Sequence, residues 1–353
     1  MTALLVKQPG MHTTVQDRGR FGYQAQGVPV SGALDWTMLR LANALVGNGP
    51  FEAGLEILHL GPVLEVEGES ARVALAAFGG ALILEGDSTR TFPPWRSVTA
   101  KKGERVTVKG TGGPVCAYLA VEGGFDLPPV LGSLSTYARG KFGGFKGRAL
   151  QAGDSIPLKR ASASDRGETA LADPPRDESG PLKIVPGPQA DLFKPEALDI
   201  LCSATYAVSR NSDRMGLRFE GPELPHLKGH DILSDGIASG AIQVPGDRRP
   251  VLLIADRQTS GGYPKIATVA TADLPRAGRL KPGDRVRFAA VTVAEAQALA
   301  RAREAAIERL AAGLVPASAG GMDLDRLYAD NLVSGVVSGA EPDAEPDAGG
   351  RAP

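Results

Sequence analysis

A mainly β protein built as two β domains, with short helices and one C-terminal helix, is predicted by three observations. Forty-five Gly and 27 Pro among 353 residues cut the chain into short elements and leave no room for long helical bundles. Short apolar, β-branched runs recur between those breaks along most of the length. One turn-to-strand unit appears in both halves: Lys102-Gly103-Glu104 before Arg105–Val108, Ala152-Gly153-Asp154 before Ser155–Leu158, and Pro282-Gly283-Asp284 before Arg285–Phe288. The length itself favours two domains.

The first half opens with a strand at Leu4–Val6 and a Gly/Asp/Arg-rich stretch from Gly10 to Gly32. Asp35 as N-cap, apolar residues at helical spacing (Trp36, Leu39, Leu41, Leu45, Val46) and the stop Gly47-Asn48-Gly49-Pro50 predict a helix over 35–46. Strands follow near Leu55–Ile57, Val63–Val66, Val73–Ala76, Ala81–Leu84, Arg105–Val108 and Val115–Val121. This places a β domain at 1–160 and, because 161–180 lacks a sustained apolar pattern, a linker there. A second β domain with its helix occupies 181–315, with strands at Leu182–Val185, Tyr206–Val208, Gly216–Phe219, Gly240–Val244 and Val251–Ala255. The capping box Thr292-Val-Ala-Glu295 starts a helix through Ala312, with Leu299, Ala302, Ala306, Ile307 and Leu310 on its packing side. The extension 316–353 ends in Pro/Asp/Gly-rich sequence with no core to bury, and a disordered tail is expected.

Thirty-nine basic and 40 acidic residues nearly cancel, and aromatics do not interleave with a basic stripe, so no nucleic-acid footprint is predicted. Cys116 and Cys202 sit in apolar, strand-like runs and read as buried core thiols, spaced for neither a disulfide scaffold nor zinc. His226 and His230 lack an accompanying ligand set, so no metal site is expected. No secretory signal or spanning run is visible, and a cytoplasmic protein is expected. Neither a phosphate loop nor a Gly-x-Ser-x-Gly elbow occurs.

The densest polar segment is Ala255–Val269, held between two strand-like runs and turned by Gly261 and Gly262. It reads as a binding loop, against the alternative of a hydrophilic turn whose Asp256, Arg257 and Lys265 are merely solvated. Asp17-Arg18-Gly19-Arg20-Phe21-Gly22 offers two guanidinium groups suited to carboxylate or phosphate. Ser209–Gly216 carries Arg214 in a second such turn, which reads equally as a loop whose Ser, Asn and Asp side chains bond their own backbone.

Taken together, Thr13–Gly22, Gly27–Asp35, Ala120–Gly124, Leu131–Tyr137, Val185–Gln189, Ser212–Leu217, Gly240–Pro245 and Ala255–Ile266 resemble the family that contains the C subunit of ATP-dependent 5-oxoprolinase. That family is also described as allophanate hydrolase subunit 2 or a biotin-dependent carboxyltransferase domain. The resemblance spans about residues 4–300. It implies two β-barrel-like domains of cyclophilin-like character and an amide hydrolase that works only in complex. The implied partners are an allophanate hydrolase subunit 1-type protein, similar to the B subunit of 5-oxoprolinase, and a third protein similar to its A subunit, with ATP and Mg in the assembly. The alternatives are a biotin-dependent carboxyltransferase component acting on urea or a similar acceptor, and a noncatalytic partner-binding subunit. On this reading Arg18, Arg20, Arg214 and Lys265 bind anions, while Gln258, Thr259 and Tyr263 orient an amide or ureido group. Gly261, Gly262 and Ser212 complete the substrate-binding set, and either Asp17 or Asp256 orients an arginine or relays a proton. Lys265, Arg214, Asp17 and Asp256 form the candidate catalytic group.

Overall fold

The computed structural model describes residues 2–110, 113 and 115–317; the tail expected to be disordered lies outside the described residues. The fold is mainly β, with short helices and one long C-terminal helix. Two antiparallel sheets build the first half. One has six strands and includes Ala3–Gln8; the other has seven and runs His12–Gln16, Gly54–Leu58, Cys116–Val121, Ser70–Ala76, Arg96–Lys101, Thr169–Leu171 and Leu314–Pro316. The second half has an eight-stranded sheet, antiparallel except where Leu182–Pro186 runs parallel to Phe288–Ala290, and a two-stranded antiparallel one pairing Asp235–Gly236 with Ser260–Gly261. Residues 2–317 form one compact unit with two principal apolar cores.

The recurring Gly-acid turn has a common cause. Gly103, Gly153 and Gly283 take φ of 82°, 87° and 91°, a region that a Cβ disfavours. The following acid then accepts an N–H three residues back: Lys101 on Glu104 (2.7 Å), Gln151 on Asp154 (2.7 Å), Lys281 on Asp284 (3.0 Å). Each turn therefore carries its own lock and launches a strand.

Helix α1 (Trp36–Val46) starts where Asp35 accepts from the Met38 N–H (3.0 Å) and stops at Gly47, left-handed at φ 73°. Its apolar side covers Cys116–Val121 and Ser70–Ala76, which is why Cys116–Val121 is buried at every position rather than alternating. Helices α2 (Glu196–Ser203) and α3 (Leu274–Gly278) are short. Cys202 corrects the sequence reading: it lies on α2, not a strand, and is only half-buried, because the apolar run Leu198-Asp-Ile-Leu-Cys has a helical spacing that a short window does not separate from a strand.

Helix α4 (Val293–Ala312) begins with the expected capping box, both of its bonds present. It returns to the first half, where Ile307 is buried in the first core with Leu310 against it, while Leu299 remains 38% exposed. The stretch 161–180 includes the strand Thr169–Leu171, paired to Arg96–Lys101 and to Leu314–Pro316. Among the described residues no helix is long and apolar enough to cross a membrane.

Candidate functional site

Between the two halves runs a chain of buried charges. Glu56 lies mid-strand, opposite Tyr118 on one side and Thr14 on the other, and is fully buried. One oxygen accepts from Tyr118 Oη (2.5 Å) and from the Leu34 N–H (2.8 Å); the other accepts from Arg214. Arg214 also donates Nε to Asp256 (2.9 Å) and Nη2 to the Gly32 carbonyl (2.7 Å). Burial alone would lower the Arg214 pKa, but Asp256 and Glu56 outweigh it and hold the group charged. Tyr118, held protonated by burial and then by the charge of Glu56, accepts the Asp35 N–H (2.9 Å). Asp35 in turn accepts from Arg279 (2.6 Å), which also reaches Asp177 (2.8 Å). The two halves are thus pinned through ions that are each matched by an opposite charge. His12 lies beside this chain; burial, then the Arg214 charge, lowers its pKa and keeps the ring neutral at neutral pH.

In front of this network opens a cleft of about 590 Å³, walled by both halves and by α4. Its surface is largely apolar, with Phe21, Trp36, Phe51 and Leu274 among the lining residues. At its edge Arg40 makes a two-bond pair with Glu304 of α4 (2.7 and 2.6 Å). Two other arginines line it. Arg18 is exposed and lies over Phe21 and Phe51 (5.2 and 5.3 Å to the ring centres). Arg257, only 6% exposed, donates to the carbonyls of Ile237 (3.1 Å) and Ile254 (3.3 Å). No carboxylate pairs with Arg257 among the described residues, and burial lowers its pKa. An uncompensated cation in an apolar wall attracts an anion.

A second polar cluster lies on the second half. Lys265 is buried and its Nζ sits 3.2 Å from Asp235, which also accepts from Gln189 (3.3 Å) and from the Gly236 N–H (2.7 Å). The nearby Lys265 ammonium is the main cause of the lowered Asp235 pKa. A bulge in the pairing of Ala241–Gln243 with Lys265–Val269 sets Gln243 opposite Lys265. Gln243 accepts from Gln258 (3.4 Å) and donates to the Tyr263 carbonyl (3.3 Å), while the Tyr263 ring is 40% exposed.

The structure therefore distributes the sequence-selected residues. Arg18 faces the cleft; Arg214 and Asp256 lie behind it as partners; Lys265, Gln258 and Tyr263 form the second cluster. Thr259 lines a separate depression with Gln24 and Gly27. Gly261 and Gly262 show no positive φ; a Cβ on Gly261 would come within 2.9 Å of Gln243 and Ile237, so close approach accounts for that glycine. Asp17 accepts from the Gly19 N–H (2.7 Å), Ser133 (2.7 Å), Ser135 (2.5 Å) and the Leu134 N–H (2.6 Å), which fixes the 133–135 loop. Arg20 is 1% exposed, donates to the Ser135 carbonyl and lies 4.9 Å from the Phe142 ring centre. Ser212 accepts the Arg218 N–H (3.0 Å), and Asp213 accepts the Met215 N–H (2.8 Å), so side chains of that turn bond their own backbone. Arg257 and Glu56 went unselected as site residues in the sequence: only a basic residue shortly after the buried strand Val251–Leu253 hinted at Arg257.

Residues 26–290 match the family model described as "Carboxyltransferase domain, subdomain A and B". The C subunit of 5-oxoprolinase from Escherichia coli is 36% identical over 311 residues, 87% of this chain and 97% of that one. The solved structure of TTHA0988 is 38% identical with a TM-score of 0.73, over 82% of this chain and 55% of that chain. The K. lactis urea amidolyase structure is 29% identical with a TM-score of 0.77, over 92% of this chain and 20% of that chain. This chain spans about half of the first of those structures and a fifth of the second. The chain is a member of the carboxyltransferase domain family, subdomains A and B.

Proposed function

We propose that this chain is the C subunit of an ATP-dependent 5-oxoprolinase, binding 5-oxo-L-proline in the cleft between its halves while the assembled complex opens the ring to L-glutamate. The observation that carries the reading is the pair Arg18 and Arg257, cations without a carboxylate partner among the described residues, in a largely apolar cleft. A ring-closed amino acid has one carboxylate and one apolar ring, which that surface complements. The near-complete coverage of the bacterial C subunit supports the same reading.

A lactam resists hydrolysis through resonance, and phosphorylating its oxygen makes the carbon electrophilic and the nitrogen a better leaving group. Among the described residues no group of three or more His, Cys, Asp or Glu side chains is placed to hold a metal. The reading supplies ATP and Mg in the assembled complex and gives this chain the work of holding the acid. Arg214 and Asp256 position the halves, and Lys265 with Gln258 and Gln243 presents a second polar face to the amide or to the partner.

A second reading, carboxyl transfer, draws on the family model and on the urea amidolyase structure. The aromatic wall of the cleft suits the fused ring of biotin, which would deliver a carboxyl group next to Arg257. Combining the chain with its A-like and B-like partners separates the two. Glutamate formation that needs all three proteins, 5-oxoproline and ATP supports the first; carboxyl transfer from carboxybiotin to urea by the same assembly replaces it with the second.

A further inference from the structure

Ser31 is set apart from the other serines by three observations. Its backbone is left-handed at φ 55°, a conformation disfavoured for a residue with a Cβ and commonly retained where a side chain must be aimed. It is 6% exposed, and its Oγ is buried with no hydrogen-bond partner among the described residues. It lines the same cleft as Arg257, and its N–H donates to the Ala255 carbonyl (3.1 Å), two residues before Arg257. The strand end that delivers the arginine thus also clamps the serine.

We propose that Ser31 Oγ and the Arg257 guanidinium form a carboxylate-binding subsite, taking the acid group of a small amide- or ureido-bearing carboxylic acid. The subsite rests on the assignment of the cleft made above for its ligand class. Chemically it combines a donor hydroxyl and a fixed cation lining one cleft, a combination that suits a planar anion with two acceptor oxygens. Arg257 is already oriented by two carbonyls, so binding costs little side-chain ordering. Of the other two arginines at the cleft, Arg40 is occupied by Glu304, and Arg18 is exposed over Phe21 and Phe51 rather than fixed by carbonyls. Ser31 selects by hydrogen bonding and Arg257 by charge.

The test measures equilibrium binding to the full chain of L-5-oxoproline and of N-carbamoylglycine, each against its neutral carboxamide. The acid should bind at least about 10-fold more tightly than the amide in one pair or both, and Arg257→Gln should abolish that preference. Ser31→Ala and Ser31→Gly should each weaken acid binding about 3- to 10-fold, although glycine relieves the backbone and alanine does not. Equal affinity for acid and amide in both pairs, measured on the unaltered chain, overturns the subsite even if the variants fail to fold. Wild-type affinity in Ser31→Gly removes Ser31 from it. A preference for the acid in a chain whose assembled complex makes no glutamate keeps the subsite and overturns only the 5-oxoprolinase assignment.

Discussion

Arg214 and Arg257 are both buried arginines of the second half, with the Arg214 side chain 9% exposed and Arg257 6% exposed, yet they do opposite work. Arg214 meets two carboxylates and a carbonyl; Arg257 meets two carbonyls only. The first guanidinium is neutralised within the fold and holds the halves together. The second keeps its charge uncompensated beside a cleft. Burial alone does not separate a structural arginine from a binding one; the sign of what surrounds it does.

The largest effect should come from stability. Arg214→Met strands Glu56 and Asp256, both buried, and should cost about 3–5 kcal/mol in chemical denaturation, with Glu56→Gln added to it recovering part of the loss. Arg257→Met strands no carboxylate and relieves a buried charge that nothing neutralises, which offsets the two lost hydrogen bonds to carbonyls, so it should cost clearly less than Arg214→Met. Equal losses for the two arginines would erase the contrast.

A third arginine sharpens it at the surface. Asp154 is held at about 2 against an ordinary 3.8, first by its hydrogen bonds from Arg148. The unfolded chain binds the proton more readily, so the stabilisation is fully present above about pH 4 and is lost as the pH falls through 2. With Arg148 30% exposed, the contribution at neutral pH is about 1–2 kcal/mol. Arg148→Met should remove it and raise the midpoint of acid unfolding; an unchanged midpoint would show the pair contributes nothing. The smallest effect is expected at the cleft edge, where Glu304 is 45% exposed. Arg40→Gln should change stability by less than about 1 kcal/mol in the same denaturation series.

Local rules read from the sequence carried far where one segment decides its own structure. The Asp35 cap, the Gly47 stop, the Thr292–Glu295 box and the three Gly-acid turns all appear because their bonds close within a few residues. The site was less legible because its character depends on distant partners. Arg214 lies 158 residues from Glu56, and nothing near Arg214 announces that partner. Arg257 reads in the sequence as one more charge in a conspicuous loop, since what marks it is the lack of a neighbouring carboxylate in three dimensions. The orphan hydroxyl of Ser31 is equally a tertiary property, though its place before Gly32 in a Val-Ser-Gly turn hinted at unusual backbone.

The account is tested most directly by the steady-state turnover of 5-oxoproline in the complex reconstituted with A-like and B-like partners, comparing the unaltered chain with Arg257→Gln. Glutamate should form only with ATP, and the variant should assemble normally while its kcat/KM for 5-oxoproline falls about 10-fold or more. Turnover by the variant equal to that of the unaltered chain would contradict a substrate-binding role for the cleft.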